Sequence, residues 1–98
     1  IRVPETLKEP IYELLALINE NLWMGHFDIT SRNGIPAYRN TYLIKEKNIE
    51  NIKIIEDLID IGINDFEKFY PSFQMVLWEN FNPSSAAATC LMETLGQA

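Results

Sequence analysis

The sequence predicts an α+β fold, and three observations carry that expectation. Ile11, Leu14, Leu15, Ile18 and Leu22 recur at i, i+3, i+4, i+7 and i+11, one apolar stripe of a helix facing a core. Asn33-Gly34 stands between two segments in which apolar and polar residues alternate, the pattern of an antiparallel hairpin. From Ile49 the helical spacing returns and persists to Phe69. The expected order is helix, antiparallel β-hairpin, long helix and C-terminal helix, in a single domain over residues 1–98.

Ile1-Arg2-Val3 is β-prone and stops at Pro4, so it reads as the tail of a strand. Thr6-Leu7-Lys8-Glu9 has the spacing of a capping box, in which Thr6 bonds a free amide of the first turn and Glu9 bonds back. Pro10 follows at a place where a missing N–H costs little, although it biases Glu9 away from helix. The first helix therefore begins at either Thr6 or Pro10, with Glu13, Asn19 and Glu20 away from the centre of its apolar stripe.

A two-residue type I′ turn needs positive φ at both centres, which Asn and Gly tolerate best. Such a turn at Asn33-Gly34 pairs Arg32 with Ile35, Ile29 with Tyr38, Asp28 with Arg39, and Phe27 with Asn40. Phe27, Ile29, Tyr38 and Tyr42 then share one face, while His26, Asp28, Thr30, Arg39 and Thr41 share the other. Apolar residues segregate and Asp28 meets an opposite charge, as cross-strand pairing favours, with Asn40 the one misfit.

Lys45 to Asn48 is a polar connection ending in a good N-cap, Asn48. Ile49, Ile52, Ile55, Leu58, Ile59, Ile63, Phe66 and Phe69 follow at helical spacing, and Ile54 and Ile61 widen the face. A helix this apolar is expected to be covered on more than one side, by the sheet and by something else. Pro71 either ends it or is accommodated with a kink. Phe73, Val76, Leu77 and Trp78 resume the pattern. Asn82-Pro83 has the form of a cap and first helical residue, and the Ala-rich run to Leu95 forms a last helix that Gly96 stops.

An isolated two-stranded hairpin is marginal in water, and both of its edges are templates for further pairing. The chain begins at Ile1 rather than Met. The expectation is therefore a C-terminal portion of a larger α+β domain, with the missing strands supplied by an absent segment or by a second chain.

The 98 residues are 47% hydrophobic and 22% charged, an ordinary globular balance. Eight basic residues scattered among fourteen acidic ones, for a net charge of −6, argue against binding to nucleic acid and to anionic membrane surfaces. The longest apolar run, Leu14 to Ile18, is too short to cross a bilayer. Cys90 is the single cysteine, so it forms no internal disulfide, and a reducing cytoplasm fits. Its expected role is that of a small buried thiol.

No residue set points to catalysis, a cofactor or a metal. His26 is the single histidine and lacks a second His or Cys for a metal site; it reads as a solvent-facing strand residue near Asp28 and Thr41. Glu56, Asp57, Asp60, Asp65 and Glu67 read as the solvated face of the long helix. Phe66, Phe69, Tyr70, Phe73 and Trp78 read as core, with a ligand pocket as the alternative. An enzyme would require His26, Asp28 and Arg39 to converge in a cleft.

Four stretches together resemble the YbjN-like proteins, known as bacterial sensory transduction regulators. They are Asn21 to Asp28, Asn33 to Arg39, Leu58 to Ile61, and Phe69 to Trp78, with Arg2-Val3-Pro4 and Tyr12 to Leu15 in keeping. The resemblance covers nearly the whole chain and is to the C-terminal half of such proteins. It implies a fold similar to type III secretion chaperones, in which a helix and strands precede the part seen here. It carries over no catalytic residues. One departure is the Glu79-Asn80-Phe81 stretch and Ser84-Ser85, where similar sequences have a Gly-Gly turn and an acidic helix start.

The expectation for function is a non-enzymatic protein-interaction or regulatory module, a chaperone-like adaptor acting as a cytoplasmic homodimer or on another protein. The alternative is a small-molecule-sensing domain with a pocket under the aromatics from Phe66 to Trp78.

Overall fold

The protein is described by a computed structural model over residues 2–30 and 32–96, with the side chains of residues 93–96 excepted. The elements run α1 (Lys8–Asn19), β1 (His26–Ile29), β2 (Pro36–Arg39), α2 (Ile49–Trp78) and α3 (Pro83–Gly96). The α+β order expected from the sequence is the order observed.

One core joins them. Ile11, Leu14, Leu15 and Ile18 of α1 are buried against Phe27 and Ile29 of β1, Phe69, Phe73 and Val76 of α2, and Ala86, Ala87 and Cys90 of α3. The two alanines let α3 come close to both other helices. Phe27 is the hub: its ring centroid lies 5.4 Å from Tyr38, 6.3 Å from Phe66, 6.3 Å from Phe69 and 5.7 Å from Phe73.

The entry to α1 differs from the capping box expected. A 3₁₀ turn, Glu5–Leu7, precedes the helix, and no side chain caps either start. Leu7 N–H donates to the Pro4 carbonyl at 3.0 Å, and Lys8 pairs with Glu5 at 2.7 Å. The tight turn occupies the amides that Thr6 would have bonded. Pro10 then falls in the first turn of α1, where the amide it lacks has no intrahelical acceptor.

The hairpin register differs from expectation by two residues. His26 pairs with Arg39, Phe27 with Tyr38, Asp28 with Ala37, and Ile29 with Pro36. Gly34 has φ +66°, whereas Asn33 is not in the left-handed region, so no type I′ turn forms. Asn33 instead spends its side chain locally, Oδ1 accepting from Ile35 N–H at 3.1 Å and from the Thr30 hydroxyl. Gly34 N–H donates to the Thr30 carbonyl at 2.9 Å, and Gly34's own carbonyl accepts from Val3 N–H at 2.8 Å. The loop is thus widened by its own polar side chain and held by the N-terminal segment. A slip of two keeps every side chain on its face, so Phe27 and Ile29 are buried as expected. Asp28 still meets Arg39, at 3.2 Å across the diagonal. Tyr42 does not join the buried face, because β2 ends at Arg39.

The strand tail at Arg2-Val3 amounts to a buried Val3 and its one amide bond to Gly34, while Ile1 lies outside the described residues. The sheet has two strands among the described residues. Its β1 edge is not the open template expected. Asn19, at the end of α1, donates its Nδ2 to the Phe27 carbonyl at 3.0 Å and accepts Phe27 N–H on Oδ1 at 2.8 Å. Ile29 N–H is taken by Asp28 Oδ1 at 2.8 Å. Because Phe27 directs both backbone groups outward to Asn19, Phe27 and Tyr38 are a non-hydrogen-bonded pair. On the opposite edge Tyr38 therefore points its amide and carbonyl outward, beside a Pro36 that has no amide to offer.

Helix α2 runs unbroken through Pro71. Asn48 caps it as expected, Oδ1 accepting Asn51 N–H at 2.9 Å. At its far end Asn80 adopts φ 58° and Phe81 N–H donates to the Met75 carbonyl at 3.0 Å. Asn is the next best residue after Gly for this left-handed position, so Asn80 supplies the reversal that a Gly-Gly turn would. Asn82 caps α3 as expected, accepting Ser85 N–H at 2.8 Å. The stop expected at Gly96 falls against residues 97–98, which lie outside the described residues.

Cys90 is the buried thiol expected. Ser72 Oγ, fully buried, lies 2.8 Å from the Ala86 carbonyl and 2.9 Å from Cys90 Sγ. The carbonyl can only accept, so the Ser72 hydroxyl donates to it, with the Cys90 sulfur packed beside the same hydroxyl.

Candidate interaction surface

The apolar periodicity of α2 is real, but only its C-terminal part is buried; the buried residues are Phe69, Ser72, Phe73 and Val76. Toward the N-terminus Ile52, Ile55, Ile59, Ile63 and Phe66 remain 54%, 37%, 56%, 51% and 38% exposed. The expectation that the sheet covers this face is corrected. The hairpin is four residues per strand and lies over the end of α2 that carries Phe66 and Phe69, so it runs out before the first turns of the helix.

The segment after β2 forms a wall beside the exposed stripe. Tyr42 and Ile44 line an open groove of about 620 Å³, whose floor includes Ile55, Ile59 and Ile63. A second opening of about 460 Å³ lies between Ile35, Pro36, Phe66, Tyr70 and Phe73. The two share Phe66 and so continue one another along α2.

Tyr38 sets the inner end of the groove. Its hydroxyl reaches the Met24 carbonyl at 3.0 Å and Asp65 Oδ2 at 3.1 Å, tying the hairpin to the turn before it and to α2. Gly62 allows this contact, since a Cβ there would stand 3.0 Å from the Tyr38 ring. Gly25, at φ +66°, is required twice over: a Cβ would be strained and would overlap the Tyr38 hydroxyl.

Burial, then the hydrogen bond and charge of Asp65, push the Tyr38 phenol above its ordinary value of 10.0. The folded state therefore holds this proton more tightly than the unfolded chain does. Its contribution to stability is complete below pH 10 and is lost as pH rises from there through the raised value. Tyr38→Phe is expected to lower stability near neutrality by about 1–2 kcal/mol and to remove that alkaline loss. Denaturation midpoints at pH 8 and above pH 10 test it; an unchanged alkaline slope would refute the assignment.

The other residues singled out from the sequence do not assemble a reactive centre. His26 and Arg39 are exposed cross-strand neighbours, and Arg39 holds Asp28 on the open face of the hairpin rather than in a cleft. Glu56, Asp57, Asp60 and Glu67 are exposed along α2, as expected of its solvated side. Among the described residues no group of three or more His, Cys, Asp or Glu is placed to hold a metal. Of the aromatics, Phe69 and Phe73 are core, Phe66 stacks on Tyr70 at the groove margin, and Trp78 is exposed. Sequence reasoning missed Asn19 and the openness of the α2 face. No described helix is long and apolar enough to cross a membrane.

Fold and surface together define an α+β domain in which one long helix is half core and half exposed apolar face. The chain belongs to the YbjN family, described as "Putative bacterial sensory transduction regulator", which matches residues 1–75. The match takes in α1, the hairpin and α2 as far as Met75, and so includes the whole groove. Membership gives the chain a regulatory or adaptor role. No curated protein and no solved structure matches it.

Proposed function

We propose that the protein is a non-enzymatic protein-interaction module, a chaperone-like adaptor, that engages its partner through the groove between α2 and the segment from Tyr38 to Ile44. The observation that carries this reading is the stripe from Ile52 to Phe66, left open on a helix whose other end is core. Contiguous exposed apolar surface of this kind, rimmed by charge, is the mark of an interaction site. The net charge of −6 and the absence of a basic patch point to a protein partner, or a second copy, rather than nucleic acid or an anionic membrane, and a cytoplasmic setting accords with the thiol.

Binding of a hydrophobic fluorescent dye, read together with sedimentation velocity, tests the proposal. The expected result is a folded chain that binds the dye or self-associates, with Ile59→Asp reducing whichever of the two is seen. A folded monomer that does neither would overturn it.

A second reading, small-molecule sensing, is favoured by the groove volumes, which fall in the range of ligand sites, about 300–1,000 Å³. Thermal shifts of the chain against a library of apolar small molecules would separate the two readings.

A further inference from the structure

The N-terminal segment and the hairpin loop meet around a small polar cleft that shares no lining residue with the α2 groove. Val3 N–H donates to the Gly34 carbonyl at 2.8 Å, and that bond brings Arg2 to the same cleft as Arg32. Gly34 permits the approach, because a Cβ there would stand 3.0 Å from the Val3 carbonyl oxygen and 3.7 Å from Arg2 Cγ, at a strained φ of +66°. The cleft holds about 250 Å³, and Arg2, Arg32, Lys8, Glu5 and Asn33 supply its polar lining.

We infer that this cleft is a binding site for a phosphate group, free or at the end of a small molecule.

Charge is the first reason. Three cations and one carboxylate leave the cleft at +2, in a chain whose net charge is −6. Among the described residues Lys8 pairs with Glu5 and Arg39 with Asp28, whereas Arg2 and Arg32 make no ion pair. Two arginines are thus gathered at one place without an anion to balance them. A phosphate monoester carries about −1.5 to −2 at pH 7, so one such group neutralises the cluster, which a carboxylate would only half do.

Donor chemistry is the second. Guanidinium groups present paired N–H donors that match phosphate oxygens. Lys8 keeps donors beyond its bond to Glu5, and Asn33 Oδ1 is taken by Ile35 N–H and the Thr30 hydroxyl, which leaves Asn33 with N–H donors to offer. The volume lies below the about 300–1,000 Å³ of sites that enclose a drug-sized ligand, and so fits a small anion. Carboxylates elsewhere on the chain are screened beyond about 8 Å at physiological ionic strength. Three cations around one cleft do not extend into the stripe that a nucleic-acid backbone needs.

Amide chemical shifts of the isotope-labelled 98-residue chain, titrated with inorganic phosphate, glycerol 3-phosphate or acetate, test the site. Either phosphate is expected to give saturable shifts centred on Val3, Asn33 and Gly34, and acetate none at the same concentration. Arg2 and Arg32 are exposed, so Arg2→Gln and Arg32→Gln should keep the fold, read by circular dichroism, and each weaken binding about tenfold. Glu5→Gln should tighten binding several-fold, a gain that damage to the fold does not imitate. Lys53→Gln, on α2, should change nothing. Tighter binding of glycerol 3-phosphate would assign the site to a phosphorylated small molecule, and equal binding to the free ion.

A parent chain whose amides do not move in millimolar phosphate would overturn the site. So would acetate matching phosphate, or shifts that spread to Arg39, Lys45 and Lys47 without saturating.

Discussion

Replacing Phe27 by alanine is expected to destabilise the protein by about 3–5 kcal/mol, the usual range for a buried aromatic. Phe27 is 2% exposed and its ring contacts Tyr38, Phe66, Phe69 and Phe73. Those four rings come from β2 and α2, while Phe27's own backbone is held by Asn19 of α1. Removing the ring leaves a void that helix and hairpin cannot both close, because Asn19 fixes where β1 lies. A domain of this size has only about 5–15 kcal/mol in total. The variant should therefore show a large drop in its urea midpoint, with Phe27→Leu falling between it and the parent. A loss under about 1.5 kcal/mol would mean that the hairpin is not anchored through this residue.

The second large effect is expected at Asn19. Asn19→Ala removes both bonds to the edge of β1 and leaves the Phe27 amide and carbonyl without their partner. At about 1–3 kcal/mol for each stranded polar group, with water recovering part of it, the expected loss is about 2–3 kcal/mol. Asn19→Asp is the informative control. It retains the acceptor for Phe27 N–H but sets a carboxylate oxygen against the Phe27 carbonyl, so it should recover less than half of the loss. Urea midpoints decide the size of the effect. If the aspartate restores full stability, the bond from Nδ2 contributes nothing. The alanine variant should also expose a fresh strand edge, read as concentration-dependent aggregation that the parent lacks.

These two residues also show what a sequence discloses and what it withholds. Phe27 and Ile29 were legible as buried because strand alternation has a period of two, and a register error of two leaves that parity intact. The caps at Asn48 and Asn82 were legible because the bond is local, three residues along the chain. The register itself was not. It depends on Val3, some thirty positions away, bonding the Gly34 carbonyl, and on Asn33 using its side chain rather than a left-handed backbone. Asn19 was read as surface because a polar residue at a helix end gives no sign of what its side chain reaches. The α2 stripe was legible as apolar, but periodicity reports which residues share a face and says nothing of what covers it. The open groove could be found only in three dimensions. The Tyr38 anchor was hidden for a related reason: its acceptors, Met24 and Asp65, lie fourteen and twenty-seven residues away.

Helix α2 continues through Pro71. Thirty residues make a rod of about 45 Å, close to the longest dimension of the molecule, 47 Å. One end is clamped in the core by Phe69 and Phe73, and the other carries the groove. No break in the helix separates them. Phe69 and Phe73 pack in turn against Phe27 of the hairpin. The exposed stripe and the buried anchor are thus two lengths of one continuous helix, so anything that covers the first lies on the same element that carries the second.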